Sequence, residues 1–163
     1  MSNSILQTPP VYNEPVKQYA PGSPERKLLK AELARQLDTV QEIPLIIGGK
    51  EIRTDDRKQV VCPHDHQKTL AAFSNAGTKE VEMAIAAALD AKKNWENMPW
   101  HERAAIFLKA ADLIARKYTY LINAATMLGQ SKNPFQAEID ATCELADFYR
   151  FNAKYMEEIY AGQ

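Results

Sequence analysis

The chain has 163 residues, with 20 Lys and Arg against 21 Asp and Glu and a formal net charge of −1. A length of this order suits one compact domain or part of a larger one. A net charge near zero gives no indication of the clustered basic surface on which sequence-independent nucleic-acid binding depends. The hydrophobic fraction of 45% and the charged fraction of 25% are typical of folded globular proteins and not of disordered chains.

Membrane and export signals are the next features to consider. The longest uncharged stretch, residues 118–131, is shorter than the roughly 20 apolar residues that span a bilayer, so we predict no membrane-spanning helix. Residues 1–10 contain no Lys or Arg and no continuous apolar run, unlike signal and transit peptides. Two cysteines outside any C-x-x-C pair are typical of a reducing compartment. The sequence predicts the cytoplasm, with the mitochondrial matrix as the alternative.

The N-terminal part is rich in proline. Five of the nine prolines precede residue 25, and no apolar periodicity accompanies them, so residues 1–22 are predicted to form an extended arm. Residues 23–163 are predicted to form the folded part. Within it, a helix is expected over residues 24–39, because Ser23 is a good N-cap and Pro24 suits the first helical position. Its apolar positions recur every four residues, at Leu29, Leu33 and Leu37.

Two short β-hairpins are predicted next. Residues 44–54 contain two β-prone segments around the Gly-Gly pair at 48–49, which permits the positive φ angles of a tight turn. Residues 59–62 and 69–73 are predicted to be two further strands, joined by the polar turn 63–68.

The rest of the chain has helical periodicity. Val81, Ile85 and Leu89 share one face of the first helix of this part. The predicted helices are, in order, from Thr78 to a stop at Pro99, from about Trp100 through Ile114, from Tyr120 to Leu128 with Gly129 as the stop, and from Pro134 to about Tyr160. The sequence therefore predicts a mostly α-helical chain with short β-hairpins.

Several common catalytic motifs are absent. The six glycines form neither G-x-G-x-x-G nor the P-loop pattern, so no nucleotide-phosphate loop of these types is predicted. Cys62 ends a strand with no His or Lys expected nearby, and Cys143 lies inside a helix, so neither is a candidate nucleophile. His64 and His66 are interpreted as part of a solvated turn, because His101 is the only other imidazole. We predict no catalytic residue, cofactor-binding residue or metal ligand in this chain.

The last helix contains a more informative pattern. A carboxylate, Glu144, falls on a stripe of small and aromatic residues. If this carboxylate is desolvated among aromatic rings, it needs a cation from the protein or from a ligand. If instead it continues the acidic neighbours Asp140 and Asp147, it marks the edge of the buried face. The stripe consists of Ala137, Ala141, Glu144, Phe148, Phe151 and Tyr155.

The same helix carries a resemblance to a known family. The run SKNPFQAEIDATCELADFYRFNAKY at 131–155 resembles the aldehyde dehydrogenase superfamily, and within it the enzymes that act on L-glutamate γ-semialdehyde. Similar stretches are GSPER at 22–26, IPLIIGG at 43–49 and RAAIFLKAAD at 103–112. The resemblance extends over about residues 13–163.

The resemblance implies a parent enzyme with the α/β aldehyde dehydrogenase fold. Such enzymes oxidise L-glutamate γ-semialdehyde, the open form of 1-pyrroline-5-carboxylate, to L-glutamate with NAD during proline catabolism, and they form homo-oligomers. In the family the nucleophilic cysteine, the general base and the cofactor motifs lie downstream of the matched region. The resemblance therefore implies roughly the first third of such an enzyme, inactive alone and with an incomplete cofactor domain.

One functional residue follows from the resemblance. Glu144 matches the helix glutamate that faces the α-ammonium group of the substrate, so it is expected to bind substrate. Two alternatives remain open: a non-catalytic helical interaction module that docks through the aromatic stripe, and part of a dehydrogenase for another semialdehyde.

Overall fold

A computed structural model describes residues 6–162 and is mainly helical, as the sequence predicts. None of the described helices is both long and apolar enough to cross a membrane. Two π-helical segments, Leu113–Lys117 and Glu138–Cys143, follow the third and fifth helices. The α-helices are α1 (Pro24–Asp38), α2 (Thr78–Asn97), α3 (Trp100–Asp112), α4 (Thr119–Gln130), α5 (Pro134–Ala137) and α6 (Glu144–Ala161). The strands are β1 (Gln41–Ile43), β2 (Leu45–Ile47), β3 (Lys50–Ile52), β4 (Arg57–Cys62) and β5 (Asp65–Ser74).

Both predicted hairpins are present. Strands β2 and β3 pair antiparallel around Gly48 and Gly49, whose φ angles of 57° and 75° require the left-handed region. Strands β4 and β5 form the second hairpin. The predicted turn at 63–68 is wrong in length, because β5 already begins at Asp65. Residues 65–67 are exposed, so polar side chains fit this end of the strand.

Strand β1 has no counterpart in the prediction. It pairs in parallel with β5 and completes a three-stranded sheet of order β1-β5-β4. Its three residues include Gln41 and Glu42, and all three are exposed, so no apolar alternation marks the strand in the sequence. Backbone pairing with β5 therefore decides this element.

Most helix boundaries agree closely with the predicted ones, but the single helix predicted from Pro134 to about Tyr160 is divided into α5, the π-helical segment Glu138–Cys143 and α6. Helix α1 begins as expected, with the Ser23 hydroxyl accepting a hydrogen bond from the Arg26 amide at 3.3 Å. The predicted stop of α4 at Gly129 is wrong, because the helix continues to Gln130. Ser131 takes the left-handed conformation that ends the helix, with φ of 55°, and its hydroxyl lies 2.8 Å from the ring of His64. A tertiary contact therefore fixes an ending that a glycine usually supplies.

The apolar face of α2 stays uncovered within the described chain. Val81, Ile85 and Leu89 are 50%, 56% and 65% exposed. The helix itself is where the periodicity predicts it, but it contacts little besides β2. An exposed apolar helix face of this kind is a surface on which another part of a protein can pack.

The core consists of closely packed helices with alanine at their contacts. Helix α1 packs on α4, and α3 packs on α6. One cluster joins Tyr19, Leu29 and Ala124, and the other joins Ala111, Ala115 and Ala146. Small side chains at these contacts allow the helix backbones to approach closely, which holds α6 firmly against α3.

Residues 8–19 have no helix or strand and lie along α6. The Thr8 amide donates a hydrogen bond to Glu157 near the end of α6, at 2.6 Å. At the other end, the Tyr19 hydroxyl donates to Glu138, just before α6, at 2.5 Å. The segment therefore runs antiparallel to the helix. We call residues 8–19 the strap.

The attachment of the strap near Thr8 is expected to depend on pH. Hydrogen bonds from Lys154 and from Thr8 lower the pKa of Glu157 from 4.5 to about 2. Because the folded-state pKa is depressed, this attachment is fully present above about pH 4.5 and is lost as pH falls towards 2. The amide chemical shift of Thr8 in a pH titration measures it.

The matched variant is Glu157→Gln, whose side chain does not titrate. The Thr8 amide of this variant should show no transition between pH 5 and pH 2, roughly the window of a carboxylate with a lowered pKa. A Thr8 amide shift that stays constant over this window in the unsubstituted chain would contradict the assignment.

Candidate functional site

A groove of about 360 Å³ lies on the outer face of α6. The strap contributes Asn13 to its wall. The helix contributes Glu144, Asp147, Phe148, Phe151, Asn152 and Tyr155. These positions recur every three or four residues, which places them on one side of an α-helix. The groove is therefore built by one helix face and one segment from the far end of the chain.

The predicted stripe is only partly gathered in this groove. Four of its members line the groove, whereas Ala137 and Ala141 do not. Residues Glu138–Cys143 are π-helical, and their wider turn shifts the angular phase of residues that precede α6. Ala137 consequently faces the interior and is completely buried. A uniform helical period cannot anticipate this shift.

The side chain of Glu144 is exposed in the groove. The predicted desolvation among aromatic rings therefore does not occur within this chain. Among residues 6–162 the ion pairs engage its neighbours but not Glu144: Asp140 pairs with Lys132 at 2.7 Å, and Asp147 pairs with Arg150 at 3.4 Å. Glu144 is thus a carboxylate that a cationic ligand can reach.

Asp147 lies one helical turn further along the same groove. Unlike Glu144, it is hydrogen-bonded to other residues of the described chain. One of its oxygens accepts hydrogen bonds from the Glu14 amide at 2.7 Å and from Arg150 at 3.4 Å. The other accepts from the Asn13 side-chain amide at 2.9 Å. Arg150 also pairs with the Glu14 carboxylate at 2.8 Å. Both oxygens of Asp147 are therefore hydrogen-bonded inside the protein, while the nearest cation, Arg150, is shared with Glu14.

A buried polar cluster fixes the strap where α6 begins. Glu138 is completely buried and accepts hydrogen bonds from Tyr19, from Asn123 at 2.6 Å and from Lys17 at 3.1 Å. Burial, with the adjacent Glu138 carboxylate, raises the pKa of Tyr19, so its hydroxyl stays protonated and donates. The Thr142 hydroxyl donates to the side-chain amide oxygen of Asn123 at 2.6 Å. These bonds connect the strap, α4 and the π-helical segment.

The two cysteines lie outside the groove. Cys143 is 4% exposed, and burial together with the charge of Glu138 raises the pKa of its thiol to about 11. Cys62 is 1% exposed, and its sulfur lies 3.2 Å from the ring of His64. The expectation that Cys62 has no histidine nearby is therefore wrong. Only the two residues Pro63 and His64 separate β4 from β5, so the turn folds His64 back over the strand end.

The other histidines do not form a site. His66 is exposed on β5, and His101 packs edge-to-face against Trp100 with ring centroids 5.9 Å apart. Between residues 6 and 162 no group of three or more His, Cys, Asp or Glu side chains is arranged to hold a metal ion.

Comparisons with known proteins place these features in a family. The model of the aldehyde dehydrogenase family matches residues 52–163. A protein of Agaricus bisporus named delta-1-pyrroline-5-carboxylate dehydrogenase is 55% identical over 161 residues, which are 98% of this chain and 30% of the relative. The human protein named delta-1-pyrroline-5-carboxylate dehydrogenase, mitochondrial, is 44% identical over 153 residues, or 94% of this chain and 27% of the relative.

A solved structure is similar over the whole chain. It is the delta-pyrroline-5-carboxylate dehydrogenase of Mycobacterium tuberculosis bound with NAD and cobalamin, with a TM-score of 0.96 and 47% sequence identity. The match covers 99% of this chain and 30% of that one, so the chain spans about a third of the length of its relatives. The fold predicted by resemblance is confirmed. This chain belongs to the aldehyde dehydrogenase family.

Proposed function

We propose that this sequence is the N-terminal segment of an NAD-dependent dehydrogenase that oxidises L-glutamate γ-semialdehyde to L-glutamate in proline catabolism. Within that enzyme Glu144 binds the α-ammonium group of the substrate. The observation that supports this assignment is an exposed carboxylate in a largely aromatic groove, without a cation from the described chain. The names of the relatives support the same substrate class.

The chemistry of the groove suits such a substrate. The semialdehyde has an ammonium group at one end and methylene groups between it and the aldehyde. A carboxylate attracts the ammonium group, and the rings of Phe148, Phe151 and Tyr155 offer apolar surface to the methylene groups. An aldehyde without an amino group cannot use the carboxylate, so Glu144 favours the amino-acid aldehyde.

The described residues do not fit a dinucleotide site by themselves. The groove contains two carboxylates, which repel a pyrophosphate, and the sequence has no glycine-rich phosphate loop. The nearly complete burial of Cys62 and Cys143 also leaves no thiol at the groove. In the proposed enzyme the NAD site and the nucleophile belong to residues outside this chain, which by itself is inactive.

Substrate discrimination by the full-length enzyme tests this proposal. The matched pair is L-glutamate γ-semialdehyde and glutarate semialdehyde, which differ only in the amino group. We expect kcat/KM, followed as NADH formation, to be at least about tenfold higher for the amino-acid aldehyde, as one hydrogen bond to a charged group provides. Equal values would contradict the proposal and favour a dehydrogenase for another semialdehyde.

A helical interaction module is the second candidate, and the exposed apolar residues favour it. Phe148 and Tyr155 on α6 are 61% and 52% exposed, and the face of α2 is uncovered as well. In the proposed enzyme the substrate occupies the groove on α6, and the remaining polypeptide covers the face of α2. Concentration-dependent self-association of a native 163-residue polypeptide without NAD affinity would support the module instead.

The compartment and the assembly are finer parts of the proposal. The sequence favours the cytoplasm, whereas the name of the human relative includes the word mitochondrial and supports the matrix. We propose a homo-oligomer, as in enzymes of this family.

A further inference from the structure

Two carboxylates lie in the groove one helical turn apart. Glu144 and Asp147 are three residues apart on α6, a spacing that puts their Cβ atoms about 5–6 Å apart. An ammonium group attracted to either carboxylate would therefore occupy one of two positions. If the groove is to bind its ligand in one orientation, one of these carboxylates must be unavailable to the ammonium group.

Asp147 is withheld by the strap. One oxygen is used by the Glu14 amide and Arg150, which belong to the framework of strap and helix. The second oxygen, Oδ2, accepts its hydrogen bond from the side chain of Asn13, which itself lines the groove. This hydrogen bond therefore engages the second oxygen of Asp147 at the wall of the groove.

We propose that Asn13 is a positioning residue that masks Asp147, so that the ammonium group of the substrate binds at Glu144 alone. The inference rests on the proposed function and names a residue that selects the orientation of that substrate. It acts through Asp147, since its amide nitrogen is already engaged with that carboxylate at 2.9 Å.

The distance between the two possible positions of the ammonium group is large compared with the positional error that the reacting atoms tolerate. Reacting atoms must lie about 3–3.5 Å apart with correct alignment. An ammonium group that moves from Glu144 to Asp147 shifts the substrate by roughly one helical turn, about 5 Å, and removes the aldehyde carbon from its reaction partner. Binding at Asp147 is therefore non-productive.

Asn13→Ala in the full-length enzyme tests this inference. Removal of the amide opens Oδ2 of Asp147 to the groove, so the substrate divides between a productive and a non-productive position. Both kcat and KM for L-glutamate γ-semialdehyde should fall together, by at least about twofold, because equal occupancy of two positions halves the productive fraction. The ratio kcat/KM should stay unchanged, since non-productive binding lowers kcat and KM by the same factor.

Second-site rescue separates masking from a general structural role. The double variant Asn13→Ala/Asp147→Asn lacks the second negative charge and should regain the original kcat and KM. Thr8→Ala weakens the strap at Glu157 without exposing Asp147, and it should behave like the unsubstituted enzyme. Glutarate semialdehyde has no ammonium group, so its kinetic constants should not respond to Asn13→Ala.

The outcomes distinguish the inference from the function on which it rests. If the unsubstituted enzyme does not discriminate between the two aldehydes, the proposed function fails before any variant is made. If it discriminates, but Asn13→Ala raises KM at constant kcat or affects both aldehydes equally, the masking role is wrong and the proposed function stands. The absence of rescue in the double variant would likewise overturn the masking role.

Discussion

Replacing Glu144 by alanine in the full-length enzyme is expected to lower kcat/KM for L-glutamate γ-semialdehyde by about 10- to 100-fold, mainly by raising KM. This range corresponds to about 1.4–2.8 kcal/mol, which matches the contribution of a hydrogen bond to a charged group. The effect falls on KM because the ammonium group keeps its charge throughout the oxidation. In the proposed site its contact with Glu144 would therefore be the same in the ground state and in the transition state. Steady-state NADH formation measures both constants.

Three controls make this result specific. Glu144→Gln keeps the shape of the side chain and removes its charge, so it should lose most of the same affinity. Glu158→Ala removes an exposed carboxylate from α6 outside the groove and should leave both constants unchanged. Glutarate semialdehyde should respond to none of these changes. Equal losses for both aldehydes on Glu144→Ala would mean that the substitution disturbs the groove as a whole.

The fold was predictable where local chemistry decides it. Ser23 and Pro24 determine the start of α1, and the glycines at 48–49 determine the first hairpin. Prediction fails where a distant partner decides. Strand β1 depends on β5, some 30 residues further on, and α4 ends at Gln130, where the hydroxyl of the next residue, Ser131, contacts His64. No local pattern contains this information, since propensities describe only near neighbours.

The groove shows the same division. Glu144 and its aromatic neighbours follow from helical spacing and from the resemblance to the family. Asn13 does not, because 134 residues separate it from Asp147 and only the path of the strap brings them together. The π-helical turn at Glu138–Cys143 is equally hidden, and it sets which residues before α6 face the interior. The sequence thus predicts the wall of the groove that α6 forms, but not the wall that the strap forms.

The second large effect is expected at the buried polar cluster around Glu138, which anchors the strap. Replacing Glu138 by alanine should lower the free energy of unfolding by about 2–6 kcal/mol, because two buried donors each lose their acceptor at a cost of about 1–3 kcal/mol. The substitution leaves Lys17 without its carboxylate and takes an acceptor from Tyr19 and Asn123. A total stability of about 5–15 kcal/mol is usual for a domain, so such a loss removes a large part of it. Urea unfolding measures it through the transition midpoint and the slope.

Matched variants assign the loss to the buried cluster. Glu138→Gln keeps an acceptor for one donor and should cost less than the alanine variant. Lys17→Met should also be clearly destabilising, because it leaves the completely buried Glu138 carboxylate without its cation. Glu158→Ala on the surface should stay within about 0.5 kcal/mol of the original. A loss for Glu138→Ala as small as that of Glu158→Ala would mean that the cluster does not hold the strap, since removal of the carboxylate leaves the buried donors of Tyr19 and Asn123 without this acceptor.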